Sequence, residues 1–313
     1  MPGKSNRFHL IASSTRKFYQ AAKETPGYSL RDFLHGYIYA RWPYLYIGYG
    51  KGDIPLAKKT APLWKIFSRL FPPRVQPRSH HSLTEASHTH ADGYHGKTIP
   101  LETARDLVSI KEPIRISDLE QVIPYTRARA ILQEFPDHII ALDCPCRVVK
   151  ANPCTPVDVC LIIGEPFASF IAEHIPEKSR WITQAEALQI LEEENQRGHV
   201  HHAFFKEAML DRFYAICNCC ACCCGAMQFH QKGIPMLASS GYVADIDLQL
   251  CENCGSCQDF CQFTALNFDS TGQNQVNWNL CMGCGICVEH CPQNAIRLHL
   301  DPLKGVPLSI SAS

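Results

Sequence analysis

The chain has 313 residues, 46% of them hydrophobic, with 30 basic and 30 acidic side chains and 18 cysteines. This is long enough for two or three domains and ordinary in hydrophobicity for a globular protein, so cysteine is the outlier. No run of eighteen apolar residues argues for a membrane span, and the first twenty residues carry neither a signal-peptide core nor a twin-arginine pair. A reducing cytoplasm with metal-bound thiolates is therefore expected rather than a disulfide framework.

The zero net charge hides an asymmetry. Positions 1–79 hold 14 Lys and Arg against 3 Asp and Glu, a balance of +11, and the remainder holds 16 against 27, or −11. A basic N-terminal segment is expected to face an acidic protein, the inner face of a membrane, or the acidic body of its own chain. No nucleic-acid partner is expected.

In chain order, Phe8 to Lys23 reads as a short helix. The stretch from Gly36 to Gly50 holds five tyrosines and Trp42, side chains with apolar bodies and polar tips that suit interfaces. Leu63, Ile66, Phe67 and Leu70 fall on one stripe of a short basic amphipathic helix, packed on the neighbouring domain or lying on a membrane. Pro72 and Pro73 end it. Residues 72–97 read as a linker in which His80, His81, His88, His90 and His95 form either a solvated loop or a metal-binding tract.

Order resumes near Thr98. Ser117 and Glu120 have capping-box spacing, Pro124 breaks that helix, and a second helix is expected from Thr126 to Glu134. His138–Leu142 and Val159–Ile163 read as buried strands. Thr183 and Glu186 cap a helix with Ala187, Leu188, Ile190 and Leu191 inward, stopped by Gly198. His199, His201 and His202 follow, as a strand-edge cluster or as a source of protons or ligands. A third strand, Phe213–Ile216, leads into a loop with six cysteines in eight residues.

Two aliphatic strands thus each deliver a cysteine-dense loop. Cys144, Cys146, Cys154 and Cys160 follow the first, and Cys217, Cys219, Cys220, Cys222, Cys223 and Cys224 follow the third. Ends of adjacent strands are where α/β layers place ligand sites, so the loops are expected to converge on at least one further cluster. Structural zinc, a redox disulfide and buried thiols acting as small hydrophobes are the alternatives. Arg147 is placed to balance thiolate charge. Dinucleotide, Walker and haem-attachment motifs are absent, so flavin or nicotinamide would sit on a partner.

The C-terminal part reads Cys251-x2-Cys254-x2-Cys257-x3-Cys261, then Cys281-x2-Cys284-x2-Cys287-x3-Cys291-Pro292. Two zinc sites would be the alternative, but zinc fingers rarely use the doubled triple-plus-one pattern. This stretch, about residues 244–300, resembles the bacterial two-cluster ferredoxins, with glycines at 255 and 285 and Gln262 replacing one family proline. The resemblance implies two [4Fe–4S] clusters, because the fourth cysteine of each run serves the other cube. One set is Cys251, Cys254, Cys257 and Cys291, and the other is Cys281, Cys284, Cys287 and Cys261. Cys223-Cys224-Gly225 is also similar to a motif of heterodisulfide-reductase-type subunits. The wider chain resembles ferredoxin-fusion proteins of anaerobes that carry Cys-Pro-Cys-Arg and Cys-Asn-Cys-Cys blocks.

The expected fold is α+β: an N-terminal segment and linker (1–97), a cysteine-rich α/β middle domain (98–240), a ferredoxin-type (βαβ)2 domain (241–300) and a tail (301–313). The expected function is single-electron transfer to or from a redox partner protein, with a further [4Fe–4S] or zinc centre in the middle domain. A reductase with its active site at the middle cluster, and a metal or cluster delivery protein, are the other readings.

Overall fold

The computed structural model describes residues 11–55, 94–116, 122, 131–133 and 135–310. The stripe at 63–70, the capping box at Ser117 and the histidines at 80, 81, 88 and 90 lie outside them.

A seven-stranded sheet forms the middle of the molecule. Its strands are β1 (Tyr94–Thr98), β4 (Ile139–Leu142), β5 (Cys160–Ile163), β6 (Ser179–Ile182), β7 (Val200–Lys206), β8 (Arg212–Cys219) and β9 (Leu237–Ala238), in the order β6-β4-β5-β8-β7-β1-β9. All neighbours are antiparallel except β1 and β9. Because β5 pairs antiparallel with both β4 and β8, those two run the same way and end at the same rim.

Both faces of the inner strands are buried, so β4 and β5 read as continuous apolar runs and the alternation of their side chains appears only in which core each one enters. One core takes Ile139, Ala141, Leu161, Ile163, Ala203, Phe205, Phe213 and Ile216, under α4 (Leu101–Val108) and α7 (Gln184–Gln196). The other takes Ile140, Leu142, Cys160, Ile162, Phe204 and Cys219, under the N-terminal helices and α6 (Phe167–His174).

Three N-terminal helices share that second core: α1 (Ser13–Glu24), α2 (Leu30–Arg41) and α3 (Pro43–Lys51). Phe18 of α1 meets Phe33, Phe167 and Phe170 edge-on. The aromatic run therefore faces inward in part. Tyr39 is buried and its hydroxyl hydrogen-bonds that of Tyr214 at 2.7 Å.

Several expectations change. The segment read as linker up to residue 97 ends in β1, whose His95, Lys97 and Thr98 are buried. Part of the expected helix from Thr126 to Glu134 is a strand instead, β3 (Ile131–Gln133), paired with β2 (Ile114–Ile116). The strand before the dense loop is longer than Phe213–Ile216 and carries Cys217 and Cys219 within it. The helix after Thr183 is as read, with the Thr183 hydroxyl accepting from the Glu186 amide and Gly198 (φ +77°) at its end.

The C-terminal unit packs a hairpin of β10 (Tyr242–Ile246) on β13 (Ile296–Leu300) and a second of β11 (Leu266–Phe268) on β12 (Asn274–Val276). Two short helices complete it, α9 (Ser256–Phe260) and α10 (Ile286–Glu289). The molecule is an α+β protein with a cysteine-rich middle and a C-terminal unit of two hairpins and two short helices.

Candidate metal centre

The cysteines of the C-terminal unit sit on two matching turns. Gly255 and Gly285 precede α9 and α10 at φ +81° and +85°, a left-handed conformation that glycine adopts at little cost. The turns aim amides at sulfurs: Ala265 N donates to Cys261 Sγ and Ala295 N to Cys291 Sγ, each at 3.2 Å. Asn274 Nδ2 donates to Cys257 Sγ at 3.0 Å. Such donors stabilise negative sulfur, which is what a thiolate-bound iron–sulfur cluster presents. The residues present fit two cubes.

Residues 244–298 match the family model of the 4Fe-4S dicluster domain. The C-terminal unit is a ferredoxin-type dicluster domain. A comparison of the chain with curated proteins finds no match.

The two cysteine sets of the dicluster domain differ in exposure. In the set with Cys251, Cys254 is exposed, Cys251 and Cys291 are half-buried and Cys257 is buried. In the other set Cys281 and Cys287 are buried, and Cys261 and Cys284 pack against the core beneath the middle sheet. Phe260 stacks on His290, whose ring meets the Asn195 carbonyl at the end of α7. A Cβ on Gly198 would come within 2.7 Å of Phe260, so this glycine answers to a close approach as well as to its φ. Gln262, where the family has proline, accepts a hydrogen bond from Ala221 N at 2.9 Å with its side-chain oxygen. The departure from the motif ties the dicluster domain to the middle cysteine loop.

All ten middle cysteines gather at one rim of the sheet. β4 ends there, before Cys144 and Cys146 on the short helix α5 (Pro145–Val148), β5 begins there with Cys160, and β8 ends there with Cys217 and Cys219. β4 and β8 are not neighbours, as the sequence suggested; β5 lies between them and adds its own thiol.

Two cations hold the loops together. Arg147 is 1% exposed and donates to Glu194, to the Pro156 carbonyl and, at 3.0 Å, to the Asn218 carbonyl between Cys217 and Cys219. Burial works against its charge, but Glu194 holds the guanidinium above its usual range. Burial likewise pushes Glu194 up, and His199 and Arg147 outweigh it, keeping the carboxyl below its usual range. Arg147 is therefore already neutralised by Glu194 and acts as a clamp, rather than chiefly as the counter-charge to thiolates read from the sequence. Lys51 donates to the carbonyls of Cys146 (3.2 Å) and Cys223 (2.7 Å) and pairs with Asp53 at 2.9 Å.

The ten thiols divide into two groups. Cys154, Cys220, Cys222 and Cys223 place all four sulfurs within 4.8 Å of one another. Their contacts run from 3.1 Å for Cys154–Cys222 to 3.7 Å for Cys154–Cys220, Cys154–Cys223 and Cys222–Cys223. Four sulfurs about 2.3 Å from one tetrahedral ion lie about 3.8 Å apart, so this outer group has the dimensions of a single-metal tetrathiolate.

The other six, Cys144, Cys146, Cys160, Cys217, Cys219 and Cys224, lie deeper. Cys146 is held well below the ordinary thiol range by hydrogen bonds from Cys144 and Cys224, and Cys219 falls to about 6, chiefly through Cys224. The donors Cys144 and Cys224 are pushed up by those same bonds.

The three histidines are not at an exposed strand edge. His199 is bonded to Glu194 at 2.7 Å, and His201 to Asn218 at 2.6 Å. His202, fully buried, lies beside Cys219. The sequence could not show that His202 and Cys217 are opposite one another across β7 and β8, a pairing set by register alone.

Proposed function

We propose that this chain is an iron–sulfur electron-transfer protein. In it the dicluster domain serves as a relay between an external redox partner and a metal centre in the middle region. The observation that carries the reading is the orientation of the dicluster domain: its exposed cysteine set faces outward and its buried set faces the middle region. Bound [4Fe–4S] clusters would supply reversible one-electron chemistry at Cys251/Cys254/Cys257/Cys291 and at Cys261/Cys281/Cys284/Cys287.

The protein's own residues do the rest. Cys254 is exposed, as are Leu248 and Leu250 shortly before it in the chain, which offer apolar surface for a partner to cover. Phe263, Met282 and Ile286 exclude water on the opposite side, where they join the main core. Gln262 fixes the distance to the loop that carries Cys220, Cys222 and Cys223, the outer tetrathiolate with Cys154. Among the described residues no helix is long and apolar enough to cross a membrane. The basic N-terminal segment offers a second, salt-sensitive contact for an acidic partner or anionic surface.

The test is anaerobic isolation of the full chain, with iron and sulfide analysis and electron paramagnetic resonance after stepwise reduction. Two interacting one-electron centres are expected, with Cys287→Ser and Cys254→Ser each abolishing one of them. Zinc in place of iron at these cysteines, or iron that cannot be reversibly reduced, overturns the proposal.

A further inference from the structure

The six inner thiols do not crowd around a point. Each meets the next in a chain of neighbours: Cys217 beside Cys160 with sulfurs 4.0 Å apart, Cys160 beside Cys144, Cys144 beside Cys146, Cys146 beside Cys224, and Cys224 beside Cys219. Among the described residues no three of them come as close together as the outer four do. The chain of sulfurs curves around a cavity of about 150 Å³.

We propose that this cavity is a second metal site of the middle region, built for a polynuclear iron–sulfur cluster held by several of the six inner cysteines.

Size argues first. A single tetrahedral ion draws its four sulfurs to about 3.8 Å from one another and leaves no void between them. One water needs roughly 10–15 Å³ of such space, and this cavity has about ten times that. The same protein shows both designs side by side: a tight outer quartet with the spacing of one ion, and a wide inner ring. The eight dicluster cysteines, which serve cubes, form no tight group either. In a cluster each cysteine binds a different iron, so its sulfurs stand farther apart than those around one ion.

Charge argues second. Lys51, Arg147 and Lys206 line the cavity, and no carboxylate does so among the described residues. Arg147 is neutralised by Glu194 and Lys51 is paired with Asp53, but neither carboxylate is part of the lining. A thiolate-bound cluster is an anion, and a wall that holds lysines and no carboxylate suits it.

The third observation is a buried polar neighbour. His202, 0% exposed, does not line the cavity itself but lies beside Cys219, one of the six, where its imidazole can donate to that sulfur. Much of the remaining wall is apolar, with Leu142, Ile162, Phe204 and Met236 in it.

Cys220 and Cys223 of the outer group also border the cavity, so the two sites adjoin, but the proposal does not depend on the relay reading. The test uses the full chain, isolated anaerobically, with iron, zinc and acid-labile sulfide counted and a Mössbauer spectrum recorded. The dicluster domain alone accounts for about eight irons and eight sulfides. More than eight sulfides per chain are expected. Cys146→Ser and Cys224→Ser should each remove the same extra iron and sulfide together and leave the dicluster signals. Cys154→Ser and Cys222→Ser should remove a metal without removing sulfide.

Wild-type sulfide of about eight overturns the proposal. So do inner variants that lose only a sulfide-free metal, or that lose nothing because the cavity holds solvent or a small apolar molecule. If an inner variant does not fold, the wild-type sulfide count still decides. Failure of the relay reading would appear separately, as dicluster signals unaffected by Cys254→Ser and Cys287→Ser.

Discussion

Arg147 shows how one side chain organises the middle region. It follows Cys146, and its guanidinium reaches the carbonyls of Pro156 and Asn218, so it joins all three cysteine-bearing segments at once. Its cost of burial is offset only while Glu194 is ionised beside it. Removing one partner of a buried pair leaves an uncompensated charge, at a cost of about 3–5 kcal/mol. Glu194→Ala is therefore expected to destabilise the chain by about that much and to release metal from the middle region before the dicluster domain, as measured by metal content along a denaturant series. The adjacency of Arg147 to Cys146 was legible in the sequence, but its partner was not. Glu194 lies 47 positions away on a helix face that reads as solvated, and only the packing of α7 on the rim makes it a buried residue.

Among the elements, those with a strong local signal were readable and those made by their neighbours were not. β4 and β5 are uninterrupted aliphatic runs, and α7 carries its own cap, so both were plain. β1 has no aliphatic residue at all. Its Gly96 is required because a Cβ there would meet Leu237 and Phe204 at 2.8–2.9 Å, and its polar residues are buried by the strands on either side. Composition reads such a strand as loop. The same strand makes an unusual demand on pH. Burial lowers Lys97 from 10.5 to about 8, with its amine donating to the Val306 carbonyl. Below pH 8 the lysine is charged in both states and the fold bears the whole cost of burying it. Between pH 8 and 10.5 the folded state has lost the proton and the unfolded state has not, so stability rises with pH, by about 3 kcal/mol in all. Burial lowers Lys206 to about 8 as well, so anaerobic denaturation at pH 7.5 and pH 10 should show the rise in the wild type, and Lys97→Met should reduce it by about half.

At the scale of the whole molecule, the C-terminal dicluster domain was legible because the spacing of its eight cysteines is a local property. The sorting of the other ten into four and six was not. It depends on β5 lying between β4 and β8 and on the turn of the loop after Cys219, which sends Cys220, Cys222 and Cys223 one way and Cys224 the other. The convergence of both loops at one rim was readable in outline, since both strands end in cysteines. The orientation of the dicluster domain has a measurable outcome. Its exposed set, with Cys254 open to solvent, should be damaged by brief exposure to air first, while the set containing Cys284 persists. Iron loss should therefore proceed in two phases, about half of the dicluster iron in each, with the Cys287→Ser variant lacking the slow one.

The loop from Cys217 to Cys224 serves both middle groups, and this has a consequence for how the protein comes into being. The outer quartet is formed by Cys220, Cys222 and Cys223 closing on Cys154, and Cys220 and Cys223 also line the cavity that Cys219 and Cys224 border. A metal held by the quartet would pin that part of the cavity wall. Filling from the inside outward is therefore the expected order of maturation. A chain given zinc before iron and sulfide would be locked in a finished-looking but incomplete form, and opening it again would require the outer ion to be withdrawn first.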